Sequence, residues 1–242
     1  MDKVKVIFFD MGNTLLHFHY GNSDDEKDMQ GLIYLTEYLN KFNTNIKFDE
    51  VKQGFYQSWM EGIKDRKVTL TEYPIEDFLN NFLQKHELSL NLNQCIEAIN
   101  LFYTSYREQV YFENSIYDTL KIIKEKGYKI GIISNTCYYD EVMKECFKKA
   151  NIYDLIDSFT FSYSLKIGKP NKQIFKTAIE IMKITPVEAV MVGDNLENDI
   201  KPALDLGMKT IWLNHNHKHN NINNEIVPHI EISCISELPK YI

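Results

Sequence analysis

The sequence of 242 residues has few cysteines and no long apolar run. The four cysteines are Cys95, Cys137, Cys146 and Cys234. Their spacing does not match a metal site, so we expect free thiols in the core. The longest apolar runs, such as residues 6–9 and 130–133, fall far short of the roughly 20 residues of a transmembrane helix. The N-terminal residues lack the hydrophobic region of a signal peptide, which predicts a cytoplasmic protein.

Positive charge is also scarce, with 27 Lys and Arg residues against 34 Asp and Glu, a formal net charge of -7. This charge balance disfavours nonspecific binding to nucleic acid, and we expect neither nucleic acid nor a membrane as a partner. The apolar share of 44% and the charged share of 25% are ordinary for a globular chain. The composition does not indicate an oligomeric state.

Short apolar segments rich in Ile, Val, Phe or Met recur along the chain and are bounded by Gly, Asn or Asp. They lie at residues 3–9, 129–133, 158–163, 188–192 and 209–213. Such segments are typical of strands buried on both faces. Helical spacing of apolar residues lies between them, as at Ile174, Ala178 and Met182. The alternation predicts an α/β fold with a parallel sheet, whose ligands bind beyond the carboxyl ends of the strands.

Residues 17–111 interrupt this alternation, because a single crossover helix would need far fewer residues. Apolar residues in this stretch repeat at helical spacing, among them Trp59, Phe55, Phe78, Phe82 and Tyr103. We expect an all-helical insertion of about four helices with these aromatics in its core. The domain boundaries are therefore 1–16 and 112–242 for the sheet domain and 17–111 for the insertion.

Polar clusters follow the predicted strands: "DMGNT", "SNT", "KIGKP" and "GDNLEND". Taken singly, each has an ordinary structural explanation, such as a turn, a helix cap or an exposed lysine. All four should nevertheless lie along the same edge of the sheet. The carboxylates Asp194 and Asp199, five residues apart, would concentrate negative charge there unless a cation offset it.

This combination of groups favours phosphoryl transfer. A phosphate dianion repels a carboxylate nucleophile, so the site must supply positive charge and hydrogen-bond donors. Asp10 and Asp194 can bind Mg²⁺ through oxygen, and Lys169 can neutralise phosphoryl oxygens. Ser134 and the backbone N–H groups of residues 11–13 and 135 can bind the phosphate. Asp10 would then attack phosphorus and form an aspartyl phosphate that water cleaves.

The segments "FFDMGNTLL", "IGIISNT", "KIGKPNKQIF" and "VMVGDNLENDI" occur in the order found in the haloacid dehalogenase superfamily of hydrolases, which the chain resembles. The resemblance covers residues 1–16 and about 112–213 and implies a Rossmann-like core with residues 17–111 as a helical cap domain. It is specific for the superfamily and says little about the substrate.

The resemblance also implies a role for each motif residue. Asp10 would be the nucleophile, and Mg²⁺ would be held by Asp10, the Gly12 carbonyl oxygen and Asp194. Ser134 and Lys169 would contact the phosphate, as would backbone groups of Met11, Gly12 and Asn135. Thr14 would steady the nucleophile loop, and Asp199 would orient Lys169 or a metal-bound water. The implied substrate is a small phosphorylated molecule.

The chain departs from most phosphatases of this superfamily at Gly12, where they carry an Asp that protonates the leaving group. General acid–base help contributes about 10² to 10⁴ in rate. A Mg²⁺-dependent phosphatase remains the favoured hypothesis, either limited to good leaving groups or using a proton donor from the cap. The candidates for that donor are His17, His19, Asp24 and Asp25.

Two other hypotheses remain open. One is a weakly active or inactive protein that binds a phosphorylated ligand or a partner. The other is a different chemistry of the superfamily. Dehalogenation needs no metal, so it would not explain why the two carboxylates Asp194 and Asp199 lie close together in the sequence. Phosphonate cleavage needs a cap lysine, for which the candidates are Lys27, Lys41, Lys52 and Lys64.

Two further groups of residues are ambiguous in the sequence. His215, His217 and His219 alternate as metal ligands do, but their Asn-rich surroundings favour an exposed loop. Some tyrosines of the insertion are candidates to face the substrate cleft, among them Tyr34, Tyr38, Tyr56 and Tyr73.

Overall fold

A computed structural model describes residues 3–43, 45–65, 69, 71–215 and 225–242. Its strands are β1 (Val6–Phe9), β2 (Lys129–Ser134), β3 (Ser158–Phe161), β4 (Ala189–Gly193), β5 (Lys209–Leu213) and β6 (Ile230–Ile232). They form one parallel sheet in the order β3-β2-β1-β4-β5-β6. The α/β prediction is confirmed, and five strands lie within three residues of their predicted ends.

The sixth strand was not predicted. β6 has only three residues, and Glu231 at its centre is exposed. It lies at the edge of the sheet and, among the described strands, pairs only with β5. An edge strand need not be buried on both faces, so β6 lacks the continuous apolar run of a doubly buried strand.

The helices are α1 (Asp24–Leu39), α2 (Phe48–Val51), α3 (Ser58–Gly62), α4 (Ile75–Lys85), α5 (Leu92–Phe102), α6 (Thr104–Glu108), α7 (Ile116–Glu125), α8 (Asp140–Lys149), α9 (Ser162–Leu165), α10 (Lys172–Met182) and α11 (Lys201–Leu204). π-helical backbone over Lys52–Gln57 joins α2 to α3, and a second such stretch, Leu196–Ile200, leads into α11. None of the described helices is both long enough and apolar enough to cross a bilayer.

The strand β1 separates two apolar layers. Ile7 and Phe9 pack into one cluster, whereas Val6 and Phe8 pack into the other. All four side chains are fully buried because successive residues of a strand point to opposite faces and helices cover both. This burial on both faces holds the carboxyl end of β1, and therefore Asp10, in the middle of the sheet.

The helices α1 to α6 lie between β1 and β2 in the chain, where the sequence led us to expect an insertion of about four helices. The chain leaves and returns at adjacent points, where the His17 N–H donates to the Tyr111 carbonyl over 2.8 Å and the Tyr111 N–H donates to the His17 carbonyl over 3.0 Å. A second contact joins residues 71–75 to the sheet domain, where the Ile75 N–H donates to the Cys137 carbonyl over 3.0 Å. The inserted helices therefore pack over one edge of the sheet.

The sequence predicts free thiols in the core and an exposed loop at the histidine-rich segment. Cys95, Cys137 and Cys146 are buried and Cys234 is partly exposed, and all four are free thiols. His217 and His219 lie outside the described residues. His215 is partly buried, and its Nε2 lies 2.5 Å from the Asn13 carbonyl oxygen in a solvent-exposed contact.

Candidate active site

The predicted site residues come together at the carboxyl edge of the sheet. Asp10 follows β1, Ser134 ends β2 and Asp194 follows β4, and β1 lies between the other two strands. They line a cleft of about 460 Å³ between the sheet and the inserted helices. Its lining includes nearly all the predicted site residues: Asp10, Met11, Gly12, Ser134, Asn135, Lys169, Asp194 and Asp199. Thr14 lies just behind them.

Lys169 bridges two carboxylates at the floor of the cleft. Its Nζ donates to Asp10 Oδ1 over 2.5 Å and to Asp199 Oδ1 over 2.6 Å. The lysine is only 6% exposed. Burial by itself would lower the pKa of Lys169, but the two carboxylates outweigh it and the pKa is raised. The side chain is therefore a permanent ammonium group in contact with the predicted nucleophile.

The backbone of Lys169 is held by Asn135. Asn135 Nδ2 donates to the Lys169 carbonyl over 2.8 Å, and Asn135 Oδ1 accepts the Lys169 N–H over 2.6 Å. A Cβ on Gly168 would lie 2.8 Å from Asn135 Oδ1, so glycine permits this close approach. The Lys169–Pro170 peptide bond is cis. The Asn135 side chain thus positions Lys169, which leaves the backbone N–H of Asn135 for a ligand.

Asp194 begins the turn after β4 and lies beside Asp10. The Trp212 indole N–H donates to the Asp194 carbonyl over 2.9 Å and fixes this turn. The Thr14 hydroxyl lies 3.4 Å from both Asp10 Oδ2 and Asp194 Oδ1. Burial, together with the negative charge of Asp10, raises the pKa of Asp194 to about 6. A carboxylate in this position is stabilised by a cation.

Asp199 is buried beneath the cleft and is oriented by its own loop. The Asn195 N–H donates to Asp199 Oδ2 over 3.0 Å, while Oδ1 accepts from Lys169. Burial raises the pKa of Asp199, although the Lys169 ammonium acts in the opposite direction. A Cβ on Gly193 would lie only 2.4 Å from Asp199 Oδ2. The glycine at the end of β4 therefore makes room for this carboxylate.

The side chains at this edge can hold a divalent ion. Asp10, Asp194 and Asp199 each place a carboxylate oxygen within 4.8 Å of the others. Hard cations such as Mg²⁺ prefer such oxygens. Each oxygen of Asp199 already accepts a hydrogen bond, from Lys169 or from Asn195, so Asp10 and Asp194 are the pair better suited to the ion. The raised pKa of Asp194 also fits a site that binds a cation.

The loop after Asp10 offers backbone donors to the cleft. Among the described residues, the N–H groups of Met11 and Gly12 have no hydrogen-bond acceptor, whereas the Asn13 N–H donates to Leu16. Asn13 adopts a left-handed conformation with φ of 57°. Apart from the two neighbouring residues, no described atom lies within 4 Å of a Cβ built on Gly12, so a Cβ meets open space there.

The inserted helices supply the opposite wall of the cleft. Its side chains are mainly aromatic or apolar: Phe18, Trp59, Ile63, Tyr103 and Tyr106. Tyr138 and Met143 join them from the sheet domain. Trp59 and Tyr103 are buried, as expected for core residues, and also line this wall.

The tyrosines named from the sequence as cleft candidates do not line this cleft. Tyr38 donates its hydroxyl to Glu97 and Tyr56 donates to Asp28, both within the inserted helices. Which tyrosines face the sheet depends on how α5 and α6 pack against it. Helical spacing alone does not provide that information.

The structure distinguishes the four candidates for a replacement proton donor. His19 lines the cleft with Asp10 and Gly12, and its Nδ1 lies 2.6 Å from Asp24 Oδ2. His17 instead packs between Tyr111 and His215, with ring centroids at 5.6 and 5.4 Å. Burial and the neighbouring His215 lower the pKa of His17. Asp25 lines a separate surface pocket with Glu26 and Tyr34.

Carboxylates that could hold a cation and a buried lysine lie together at the carboxyl edge of a parallel sheet. A sequence model of the haloacid dehalogenase-like hydrolase family matches residues 4–207, and the chain belongs to this family. The superfamily resemblance in the motifs is thereby confirmed.

Relatives with curated functions and solved structures agree with this assignment. The glyceraldehyde 3-phosphate phosphatase of Pyrococcus furiosus is 26% identical over 215 residues, which cover 88% of this chain and 81% of that protein. A crystal structure of a HAD phosphatase from Thermococcus onnurineus has a TM-score of 0.62 at 24% identity and covers 98% of this chain and 97% of that one. A 2-haloacid dehalogenase from Pseudomonas syringae pv. Tomato has a TM-score of 0.66 at 21% identity, with the same coverage. These structures share the fold.

Proposed function

We propose that this protein is a Mg²⁺-dependent phosphatase that hydrolyses a small phosphorylated metabolite through an aspartyl phosphate on Asp10. The observation that carries the proposal is the contact of the Lys169 ammonium group with Asp10 on one side and Asp199 on the other. Similarity to glyceraldehyde 3-phosphate phosphatases makes triose and other sugar phosphates the first substrates to test.

Charge neutralisation explains how this site would favour attack on a phosphate dianion. Lys169 holds a positive charge within 2.5 Å of Asp10, so a phosphoryl group at the cleft would meet an ammonium beside the nucleophile. The N–H groups of Met11, Gly12 and Asn135 and the Ser134 hydroxyl would donate to the phosphoryl oxygens. Asp10 Oδ2 would be the attacking oxygen, because Oδ1 accepts from Lys169 over 2.5 Å whereas the Thr14 hydroxyl lies 3.4 Å from Oδ2.

Asp10, Asp194 and the Gly12 carbonyl would hold the Mg²⁺ ion, and Thr14 would orient both carboxylates. The ion would supply additional positive charge against the phosphoryl oxygens. Asp199 would keep Lys169 in place and would assist in orienting a water molecule. After transfer, water would cleave the aspartyl phosphate and release inorganic phosphate.

Residues 17–111 would act as a cap domain over the sheet domain formed by residues 1–16 and 112–242. The paired backbone of His17 and Tyr111 is the point about which the cap would open and close. Closure would exclude water while Asp10 attacks. We further propose a cytoplasmic location, consistent with the composition.

The alternative chemistries have less support. A dehalogenase would need no cation for the cluster of Asp10, Asp194 and Asp199. A phosphonate-cleaving enzyme would need a cap lysine in the cleft, but Lys169 is the only lysine among the described residues that line it. Lys27 is fully buried and donates to the Phe18 carbonyl over 2.7 Å. A protein that only binds phosphorylated ligands would not require a nucleophile beside the ammonium.

The proposal is tested by assaying p-nitrophenyl phosphate and a panel of sugar phosphates with Mg²⁺ and with EDTA. We expect hydrolysis that requires Mg²⁺ and is abolished in Asp10→Asn, while circular dichroism shows an intact fold. Asp118→Asn, in the exposed first turn of α7, is the matched control and should retain activity. Phosphate binding without turnover in the wild-type protein would instead support the binding hypothesis.

A further inference from the structure

The cleft lacks the carboxylate that would protonate a leaving group, since residue 12 is glycine and the space beside it is open. The tyrosines of the cleft are poor substitutes. Burial is the largest cause that raises the pKa of Tyr103, Tyr106 and Tyr138, which makes each hydroxyl a weaker proton donor. Lys169 is committed to Asp10 and Asp199. His19 is another side chain of the lining that can carry an exchangeable proton.

His19 has the geometry of a proton donor. It lines the same cleft as Asp10, and its side chain is 69% exposed, so a ligand can reach it. Its Nδ1 lies 2.6 Å from Asp24 Oδ2. An ionised carboxylate can only accept, so Nδ1 carries the hydrogen of this bond and Nε2 is the nitrogen left for a substrate.

Asp24 is itself held in place by three features of α1. It lies in the first turn of the helix, where the helix dipole favours a carboxylate. Ser23 and Glu26 form a capping box that fixes this turn, with the Ser23 N–H donating to Glu26 Oε2 over 2.9 Å. The buried Lys27 ammonium lies 3.8 Å from Asp24 Oδ1. The pair formed by His19 and Asp24 is thus anchored to the start of the inserted helices.

We propose that His19 is the general acid and base of this enzyme in place of the missing carboxylate at residue 12, and that Asp24 is its positioning residue. The inference rests on the proposed phosphatase function. It assigns proton transfer to the cap side of the cleft, whereas the nucleophile belongs to the sheet domain.

The proton transfers balance over the two steps. As Asp10 Oδ2 forms its bond to phosphorus, the bond from phosphorus to the leaving oxygen breaks and that oxygen takes the Nε2 proton of the His19 imidazolium. Neutral His19 then accepts a proton from the water that attacks the aspartyl phosphate. The bond from phosphorus to Asp10 breaks, hydrogen phosphate leaves, and both Asp10 and the imidazolium are restored.

The test compares two substrates that differ in leaving group. p-Nitrophenolate leaves readily without a proton, whereas the phenolate of phenyl phosphate gains more from protonation. The quantity to measure is kcat/KM with Mg²⁺, which reports the steps up to formation of the aspartyl phosphate. In His19→Gln we expect kcat/KM for phenyl phosphate to fall about 100-fold and that for p-nitrophenyl phosphate to fall less than about 10-fold. Asp24→Asn should shift the ratio of the two in the same direction by a smaller factor.

Matched controls are Asp25→Asn, one residue away on a different pocket, and His86→Gln at the end of α4. Both should keep the wild-type ratio. Equal losses for the two substrates in His19→Gln, or no loss, would overturn the assignment of His19 while leaving the phosphatase function standing. A wild-type protein that hydrolyses neither substrate would overturn both proposals.

Discussion

The side-chain amide of Asn135 forms two hydrogen bonds with the backbone of Lys169, one to its carbonyl and one from its N–H group. Asn135 directly follows β2, and it therefore fixes the loop after α9 that carries Lys169. The side chain of Lys169 then reaches Asp10 across the cleft. The charge at the nucleophile is set by a pair of residues 34 positions apart in the chain.

Asn135→Ala should lower kcat/KM for p-nitrophenyl phosphate by about 10- to 30-fold, because each lost hydrogen bond contributes about 1 kcal/mol to the position of Lys169. Steady-state kinetics with Mg²⁺ measure the effect. Asn22→Ala, at an exposed site outside the cleft, is the control. A wild-type rate in Asn135→Ala would show that the loop holds Lys169 without this amide.

Gly193→Ala should displace Asp199, because the new Cβ would lie 2.4 Å from its Oδ2 atom. We expect the free energy of unfolding to fall by about 1–3 kcal/mol, as in other overpacked sites. Turnover should fall as well, since Lys169 loses a partner. Urea unfolding is the measurement. Gly12→Ala, which meets no described atom within 4 Å, should leave the free energy of unfolding unchanged.

The stability of the metal-free protein should depend on pH through Asp194, whose pKa rises from 3.8 in a model compound to about 6 in the fold. A carboxyl group that binds its proton more tightly in the folded state stabilises the fold at low pH. That contribution is lost as the pH rises from about 4 to about 6.

In EDTA, the free energy of unfolding of the wild-type protein should therefore fall across this range relative to that of Asp194→Asn. The difference should reach at most about 3 kcal/mol, since one pH unit corresponds to about 1.4 kcal/mol. Urea unfolding at about pH 4, 5, 6 and 7 measures this difference. Parallel pH profiles of the two proteins would contradict the raised pKa of Asp194.

Gly12→Asp should restore the hydrolysis of phenyl phosphate in the His19→Gln protein, because it returns a carboxyl group to the position where most related phosphatases carry one. The Cβ of the new side chain meets open space at this position. Gly12→Asn has nearly the same shape but no acidic proton, and it is the control. We expect the acid to recover about 10-fold or more in kcat/KM and the amide to recover none. Equal rates in the two double variants would exclude proton transfer as the lost step.

The sheet and its acidic edge could be predicted because they depend on local signals. A doubly buried strand is a continuous apolar run, and the polar residue that ends it, such as Asp10 or Asp194, must lie at the carboxyl edge. The strand β6 lacks that run and was missed. The fold class thus follows from patterns within a few residues.

The roles of Asn135 and the cleft tyrosines depend on distant packing instead. Nothing near Asn135 in sequence indicates that its amide contacts Lys169 rather than a ligand. Tyr103 and Tyr106 line the cleft from the junction between α5 and α6, and a regular 3.6-residue repeat does not reveal this junction. His19 and Asp24 were both candidates, but only the turn capped by Ser23 brings them into contact.

The backbone pairing of His17 with Tyr111 makes the two ends of the inserted helices immediate neighbours. In an antiparallel pair of this kind the Cα atoms are about 5.5 Å apart. A two- or three-residue linker could span that gap, so the path of the chain from β1 to β2 does not itself require the inserted helices. Under the proposed cap role of residues 17–111, exchange of this segment would change the substrate range while Asp10 and Lys169 keep their places in the sheet domain.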